Sequence, residues 1–214
     1  MQKRRLFILL GAVALVLSAC GVANPQFPTN NTSSASNQTS KNQTASNATN
    51  STAATAALLG SFTSQDLDGN AVDQSILADH KLTMVNVWST SCVYCIREMP
   101  GLAQLHTKYA DQGFQIVGIC EDVLDKNGNL SADSVATAKG IMDKTGASYR
   151  QLAPSLDLYQ RVLQYITGTP TSFFVDSTGK QVGKAYAGYR SESDWENIIQ
   201  PMLAEVTNGE QQAK

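Results

Sequence analysis

Apolar and polar positions alternate along the chain in patterns that predict strands and helices. Two short, largely apolar runs, Leu82–Trp88 and Phe114–Cys120, are typical of strands in a parallel sheet that is covered on both faces. Apolar residues recur at helical spacing after Cys92 as far as about Tyr109. The same spacing returns over 192–206, where five apolar side chains would face inward: Trp195, Ile198, Ile199, Met202 and Leu203.

Shorter segments separated by turn residues complete the folded part. Ser131 follows a polar loop over 125–130 and is a favourable N-cap for a helix that ends near Thr145. The other predicted elements are a hairpin over 62–72, a short helical piece capped by Asp73, a short strand over 148–152, a helix over 157–165, and strands 171–176 and 181–186 around a turn. This order predicts a single α/β domain over 58–207, with a mixed central sheet flanked by helices.

The N-terminus has the features of an export signal. Three basic residues precede an apolar run over 6–17, which is shorter than the about 20 residues of a membrane-spanning helix. The ending Leu17-Ser18-Ala19-Cys20 resembles the lipobox of bacterial lipoproteins, which implies cleavage after a signal over 1–19 and lipidation of Cys20. The alternatives are an ordinary signal peptide or a retained single span.

Two terminal segments are too polar to fold by themselves. Residues 24–57 are nearly all Asn, Ser, Thr, Ala and Gln, and such a composition does not bury enough apolar surface to offset its ordering entropy. We therefore expect 20–57 to be a lipidated, disordered tether, with the polar stretch spanning roughly 30–35 Å as a random coil. Residues 208–214 are expected to be a disordered tail.

The net charge says little about function, but it argues against a nucleic-acid partner. The 214 residues carry 16 basic and 18 acidic side chains, a formal net charge of −2. A nucleic-acid-binding protein usually shows a basic surface, and none is indicated.

The chemistry centres on Cys92 and Cys95, three residues apart where a strand leads into a helix. At that spacing the thiols share one helix face and can form a disulfide. Unpaired N–H groups at the helix start favour a thiolate, so Cys92 is the expected nucleophile with a lowered pKa, and Cys95 the resolving thiol. A purely structural disulfide would close too short a loop to stabilise much. Half a zinc site would need Cys120 with a histidine, His80 or His106, and we expect no metal.

Further residues add a family resemblance. The spacing Trp-x-x-x-Cys-x-x-Cys from Trp88, then Pro100, and the run Gly168-Thr169-Pro170-Thr171 before a strand resemble the thioredoxin superfamily. The sequence Glu98-Met99-Pro100 narrows the resemblance to the extracytoplasmic TlpA/ResA-like thiol–disulfide oxidoreductases. The resemblance covers roughly 60–207 and implies a thioredoxin-like fold that exchanges electrons with protein disulfides outside the cytoplasm.

The resemblance also implies roles for individual residues. Thr169 and Pro170 match the cis-proline loop, whose backbone would bind a substrate strand. Trp88 is expected to be a core residue with one edge under the thiols, and it is assigned to substrate binding together with Thr169 and Pro170. Glu98 matches the active-site glutamate of the family, which implies an acid/base that accepts and returns the proton of Cys95. Pro100 would kink the active-site helix. A solvated surface carboxylate and a plain proline turn are the alternatives for Glu98 and Pro170.

Several positions depart from relatives. Asn86 stands where cytoplasmic thioredoxins have a buried aspartate, and Ser91 stands where many relatives have an aromatic residue. Val93 and Tyr94 replace the residues that better-known members carry between the cysteines, and we expect no extreme oxidising potential. Cys120 is interpreted as a buried small hydrophobe, with a third redox thiol as the alternative.

These expectations combine into a lipid-anchored thiol–disulfide oxidoreductase on the extracytoplasmic face of a bacterial cell membrane. It would use no cofactor and would reduce partner proteins, either in cytochrome c maturation or in a relay that repairs oxidative damage. A membrane thiol-electron transporter would supply the electrons. The alternatives from other classes are a copper or heme chaperone and a thiol peroxidase on the same fold.

Overall fold

The structure, a computed structural model, describes residues 26–27 and 57–212, with side chains as far as residue 209. The expected signal sequence, Cys20 and nearly all of the expected tether lie outside the described residues. In chain order the strands and helices are β1 (Thr63–Gln65), β2 (Ala71–Asp73), β3 (Leu82–Trp88), α1 (Val93–Tyr109), β4 (Phe114–Cys120), α2 (Ala132–Thr145), β5 (Gln151–Leu152), α3 (Leu156–Arg161), β6 (Thr171–Asp176), β7 (Gln181–Ala187) and α4 (Glu192–Gln212). Short 3₁₀ turns occur at Gln74–Leu77, Ala110–Gln112 and Leu163–Tyr165.

Five of the strands form one sheet in the order β5-β4-β3-β6-β7. β3 and β4 pair in parallel, as do β4 and β5, whereas β6 is antiparallel to both β3 and β7. The mixed sheet expected from the sequence is therefore confirmed. The register places Trp88 beside Cys120 and Val87 beside Thr171. The ends of β3 and β4 and the start of β6 consequently meet at one edge of the sheet.

The two faces of the sheet bury separate apolar clusters. Met84 and Trp88 of β3 face a cluster that includes side chains of α1, α2 and α4. Val85 and Val87 face the opposite cluster, which α3 and the β1–β2 hairpin help to cover. Because both faces are covered, every position of β3 and β4 is buried, which explains why most of their residues are apolar.

The predicted element bounds agree closely at the centre of the domain and differ at its margins. β3 and β4 have the predicted limits, and Ser131 caps α2 through its hydroxyl, which accepts the Ser134 N–H at 3.3 Å. The strand expected over 148–152 is reduced to Gln151–Leu152. The helix expected over 157–165 ends at Arg161, because the buried Val162 leaves the helical backbone region with φ −135°.

The two longest helices pack one apolar side against the sheet. Trp195, Ile199 and Leu203 of α4 are buried as predicted, and Ile198 and Met202 pack against the same cluster. α4 continues to Gln212, and so includes part of the segment expected to be a disordered tail. In the described part of the chain, no helix combines the length and apolar character needed to cross a membrane.

Phe27 corrects the expectation that 24–57 is a free tether. It is the one aromatic residue of that polar stretch, and its side chain is only 6 % exposed. Its ring lies edge-on to Phe173 and Tyr165, with centroids 5.0 Å and 6.3 Å away. Burial of one large apolar ring offsets the cost of ordering a short segment, which the average composition of the stretch concealed.

Candidate active site

The predicted cysteine pair lies at the edge where β3, β4 and β6 meet. Cys92 is the N-cap of α1, and its Sγ accepts the Cys95 N–H at 3.1 Å. The two cysteines form a disulfide with their Cα atoms 5.3 Å apart. Cys92 is half-buried, whereas Cys95 is 1 % exposed. A partner can therefore reach the sulfur of Cys92 and not that of Cys95, which is the asymmetry that an attacking and a resolving thiol require.

Glu98 lies one helical turn after Cys95 and is buried, so the solvated-surface interpretation is wrong. Its carboxylate is held by three donors, which come from β3, from the loop between β7 and α4, and from α4. Asn86 Nδ2 donates to Oε1 at 3.0 Å, while the Arg190 N–H and Trp195 Nε1 donate to Oε2 at 3.2 Å and 3.3 Å. The glutamate is 3 % exposed. α1 thus carries a fixed carboxyl group on the same side as Cys95.

Burial raises the pKa of Glu98 from 4.5 to about 7, and the three donors only partly oppose this effect. A carboxyl group whose pKa lies near neutrality can both accept and return a proton at physiological pH. The geometry therefore gives Glu98 the properties of an acid/base beside the disulfide.

Asn86, noted in the sequence only as a departure from cytoplasmic thioredoxins, is a buried neighbour of Glu98. Its register partner on β6 is Ser172, and its Nδ2 also donates to Ser172 Oγ at 3.0 Å. Asn86 and Ser172 are 1 % and 0 % exposed. The signal in the sequence was an amide side chain inside a largely apolar strand, since a buried amide needs hydrogen-bond partners.

The cis-proline loop has the predicted form. The Thr169–Pro170 peptide bond is cis. Because Val87 pairs with Thr171, Pro170 lies beside the end of β3 from which the Cys92 loop departs. The Pro170 carbonyl accepts the Gly188 N–H at 2.8 Å, which ties this loop to the one after β7. Thr169 is half-buried and Pro170 is buried.

Trp88 does not belong to the surface that a substrate would contact, which corrects its assignment as substrate-binding. The side chain is 0 % exposed, and its Nε1 donates to Gln151 Oε1 at 2.8 Å. Gly118 leaves the space for this bond, since a Cβ there would stand 1.9 Å from Gln151 Oε1. Trp88 instead supports the end of β3 from within the core.

Asp122 fixes the loop that carries Cys92, a role that no local sequence pattern indicates. Thr90 donates its backbone N–H to both carboxylate oxygens at 3.0 Å and its hydroxyl to Oδ2 at 2.6 Å. The Glu121 N–H also donates to the Trp88 carbonyl at 2.9 Å, which continues the β3–β4 pairing. The segment between Trp88 and Cys92 is therefore attached to the end of β4.

Cys120 has the environment of a structural cysteine. It is 0 % exposed, and its Sγ lies 3.4 Å from Asp122 Oδ1. Burial, with the Asp122 charge as a second cause, raises the pKa of the thiol far above its usual value. A thiol held in its protonated form is a poor nucleophile, so this geometry supports packing rather than a third redox role.

The alternative of a zinc site at the cysteines is not supported by the surrounding side chains. Within 26–27 and 57–212, no three His, Cys, Asp or Glu side chains are grouped closely enough to hold a metal ion. His106 instead accepts the Ile116 N–H at its Nδ1, 3.1 Å away. Its pKa is lowered by burial, as expected for a neutral structural histidine.

Comparison with known proteins points to one family. The profile of the AhpC/TSA family matches residues 56–182, more than half of the chain. Thiol-disulfide oxidoreductase ResA of Bacillus subtilis (strain 168) is 26% identical over 207 residues, which cover 94% of this chain and 96% of that protein. ResA of Geobacillus thermodenitrificans (strain NG80-2) is 29% identical over 153 residues, covering 65% and 75%.

Solved structures agree with this assignment. A thioredoxin-family thiol:disulfide interchange protein from Chlorobium tepidum TLS superposes with a TM-score of 0.55 at 28% identity, covering 67% of this chain and 94% of that one. A secreted Mycobacterium tuberculosis disulfide oxidoreductase homologous to E. coli DsbE shares the fold, with a TM-score of 0.51 at 17% identity and coverage of 69% and 96%. The chain therefore belongs to the AhpC/TSA family, and it is a ResA-like thiol–disulfide oxidoreductase with the thioredoxin fold.

Proposed function

We propose that this oxidoreductase works as a reductant of protein disulfides on the extracytoplasmic face of a bacterial membrane. The observation that carries the proposal is the Cys92–Cys95 disulfide at the accessible start of α1, with the buried Glu98 one turn further on. The partners are proteins with oxidised cysteine pairs, in cytochrome c maturation or in a relay that repairs oxidative damage.

The reaction starts from the reduced pair and transfers two electrons. The Cys92 thiolate attacks one sulfur of the partner disulfide, which forms a mixed disulfide and releases the other partner sulfur as a thiolate. Cys95 then attacks Cys92 Sγ, and the second partner sulfur leaves. The partner ends as a dithiol after taking up protons, and the enzyme ends in the oxidised state that the structure shows.

In the second step, Glu98 acts as the base that accepts the proton of the Cys95 thiol. Cys95 is buried and needs a base before it can attack, and Glu98 occupies the next turn of the same helix. With its pKa raised by burial to about 7, Glu98 accepts that proton near neutral pH and returns it when the pair is reduced again.

The proposed location is supported by the N-terminal sequence. The signal over 1–19 directs export, and lipidation of Cys20 holds the chain at the membrane. A membrane thiol-electron transporter regenerates the reduced pair. Radiolabelled palmitate should enter the wild-type chain and not the Cys20→Ser variant, and the variant should leave the membrane fraction. Equal labelling of both chains would overturn the anchor.

Covalent trapping tests the exchange reaction. In a Cys95→Ser variant the mixed disulfide with Cys92 cannot be resolved, so partners should be recovered as adducts that a reductant releases. Cys92→Ser is the matched control and should trap nothing. Absence of adducts with Cys95→Ser, under conditions where the wild type is reoxidised in the cell, would contradict the proposal.

Two direct assays separate the rival functions. A copper chaperone would bind Cu(I) tightly and stoichiometrically through the reduced pair without reducing insulin disulfides. A thiol peroxidase would consume hydrogen peroxide rapidly through Cys92 even in the Cys95→Ser variant. The proposed reductase should reduce insulin and react with peroxide no faster than an ordinary thiol.

A further inference from the structure

Exposed apolar side chains are concentrated beside the disulfide. Among the described residues, five large hydrophobic side chains are exposed, and three of them surround the start of α1. These are Val93, Tyr94 and Tyr189, with exposures of 74%, 61% and 37%. The rings of Tyr94 and Tyr189 lie 6.5 Å apart and tilted by 45°. Exposed apolar groups that cluster in this way mark interaction surfaces.

An unpaired cation completes this surface. Arg97 lies one turn after Val93 and Tyr94, and its guanidinium sits 4.9 Å from the centroid of the Tyr189 ring. Within the described part of the chain, Arg97 makes no hydrogen bond or ion pair. The contact with Tyr189 fixes the position of the guanidinium and leaves its N–H groups free for a planar anion.

The charged side chains of Arg190 and Asp122, near this surface, already have hydrogen-bond partners within the protein. Arg190 donates to the carbonyl oxygens of Ala187 and Gly188 at 3.1 Å and 2.9 Å. Both carboxylate oxygens of Asp122 accept from Thr90. Arg97 is therefore the charged group on this surface that remains available to a bound partner.

The surface is continuous with the cis-proline loop. Gly188, which donates to the Pro170 carbonyl at 2.8 Å, immediately precedes Tyr189. A strand lying along Thr169 with its sulfur at Cys92 would extend over Tyr94, Tyr189 and Arg97. Tyrosine and arginine are also the residue types that contribute most at protein interfaces.

Resting on the reductase function proposed above, we infer that Val93, Tyr94, Tyr189 and Arg97 form a partner-selecting surface. It fits a polypeptide segment that carries an apolar side chain and a carboxylate next to its disulfide. The apolar side chain packs on the two tyrosines, and the carboxylate binds the Arg97 guanidinium through paired N–H donors. Partners with a basic residue at that position are disfavoured.

Single-turnover kinetics with matched peptides test this inference. Three peptides each contain one intramolecular disulfide followed by Tyr-Glu, Tyr-Gln or Tyr-Lys, and the full-length chain is used in its reduced form. The Glu peptide should be reduced about fivefold faster than the Gln peptide, the upper range for an exposed ion pair, and the Lys peptide more slowly still. Added salt should reduce the difference.

Arg97→Gln should remove the preference, so that the Glu, Gln and Lys peptides are reduced at similar rates. Lys180→Gln is the control, because it removes the same charge from an exposed position in the turn at the opposite end of the sheet. Equal rates for the Glu and Lys peptides with the wild type, or a preference that survives Arg97→Gln, would overturn the inference. If the wild type reduced none of the peptides, the proposed reductase function itself would fail.

Discussion

Glu98 shows how the chemistry of one residue depends on where the fold places it. A glutamate on a helix is commonly solvated, yet α1 turns this one toward the sheet, where Asn86, Trp195 and the Arg190 backbone surround it. Burial makes the ionised form of this carboxyl group unfavourable, and it raises the pKa of Glu98 to about 7. The unfavourable burial of the ionised carboxyl group should therefore make stability depend on pH.

Stability of the oxidised protein should fall as pH rises through the range set by Glu98. Below about pH 4.5 the carboxyl group is protonated in both states. Between the usual pKa of 4.5 and the folded value of about 7, the folded state binds more protons than the unfolded state. The free energy of unfolding therefore decreases across this range, by up to roughly 3 kcal/mol, and levels off above it.

Urea unfolding at several pH values measures the effect. Glu98→Gln should lack this decrease, while Glu205→Gln, which removes an exposed carboxylate of α4, should keep it. The difference between variant and wild type separates Glu98 from other titrating groups. Parallel pH profiles for the wild type and Glu98→Gln would show that the carboxyl group is not perturbed.

Asn86 should control the same equilibrium from β3. Asn86→Ala removes the donor to Glu98 Oε1, so the pKa of Glu98 should rise further, and the buried unpaired acceptor should cost about 1–3 kcal/mol of stability. Ser172→Ala is the matched control, because it leaves the bond from Asn86 to Glu98 in place. Infrared detection of the carboxyl proton across the pH range should separate the two variants.

At the level of elements, the sequence predicts what local spacing determines. The largely apolar runs of β3 and β4 have the predicted limits because burial on both faces makes most of their positions apolar. Likewise, the cysteine spacing and the helix start predict the disulfide. By contrast, Trp195 and Glu98 are 97 positions apart. No local pattern reports such a contact, so the partners of Glu98 emerge only in the folded structure.

The connection between β3 and α1 carries a prediction at this level. Thr90→Val removes the hydroxyl bond to Asp122, leaves the shared N–H, and should cost about 1–2 kcal/mol of stability. With the Cys92 loop less firmly attached to β4, alkylation of reduced Cys92 should become faster, as measured with iodoacetamide. Thr90→Ser keeps the hydroxyl and should resemble the wild type. If Thr90→Val also matched the wild type, Asp122 would not be positioning the loop.

For the whole molecule, Phe27 limits how far the domain could lie from a membrane under the proposed lipidation of Cys20. A tether that was free from Cys20 to Ala57 would allow a reach of about 120 Å when fully extended. Because Phe27 is packed against Phe173 and Tyr165, the path from Cys20 to the domain is seven residues, or at most about 25 Å. Composition alone predicted a long tether, since a single aromatic residue barely alters an average over the stretch.

Energy transfer in vesicles tests this short path. The chain has two tryptophans, and both lie buried in the domain, at Trp88 and Trp195. In lipidated full-length protein, transfer from them to dansyl-labelled lipid should be efficient, and it should decrease in Phe27→Ala because the domain can then move away from the bilayer. Gln26→Ala, an exposed neighbour, is the control and should behave as the wild type. Unchanged transfer in Phe27→Ala, with circular dichroism showing an intact fold, would mean that Phe27 does not hold the domain near the membrane.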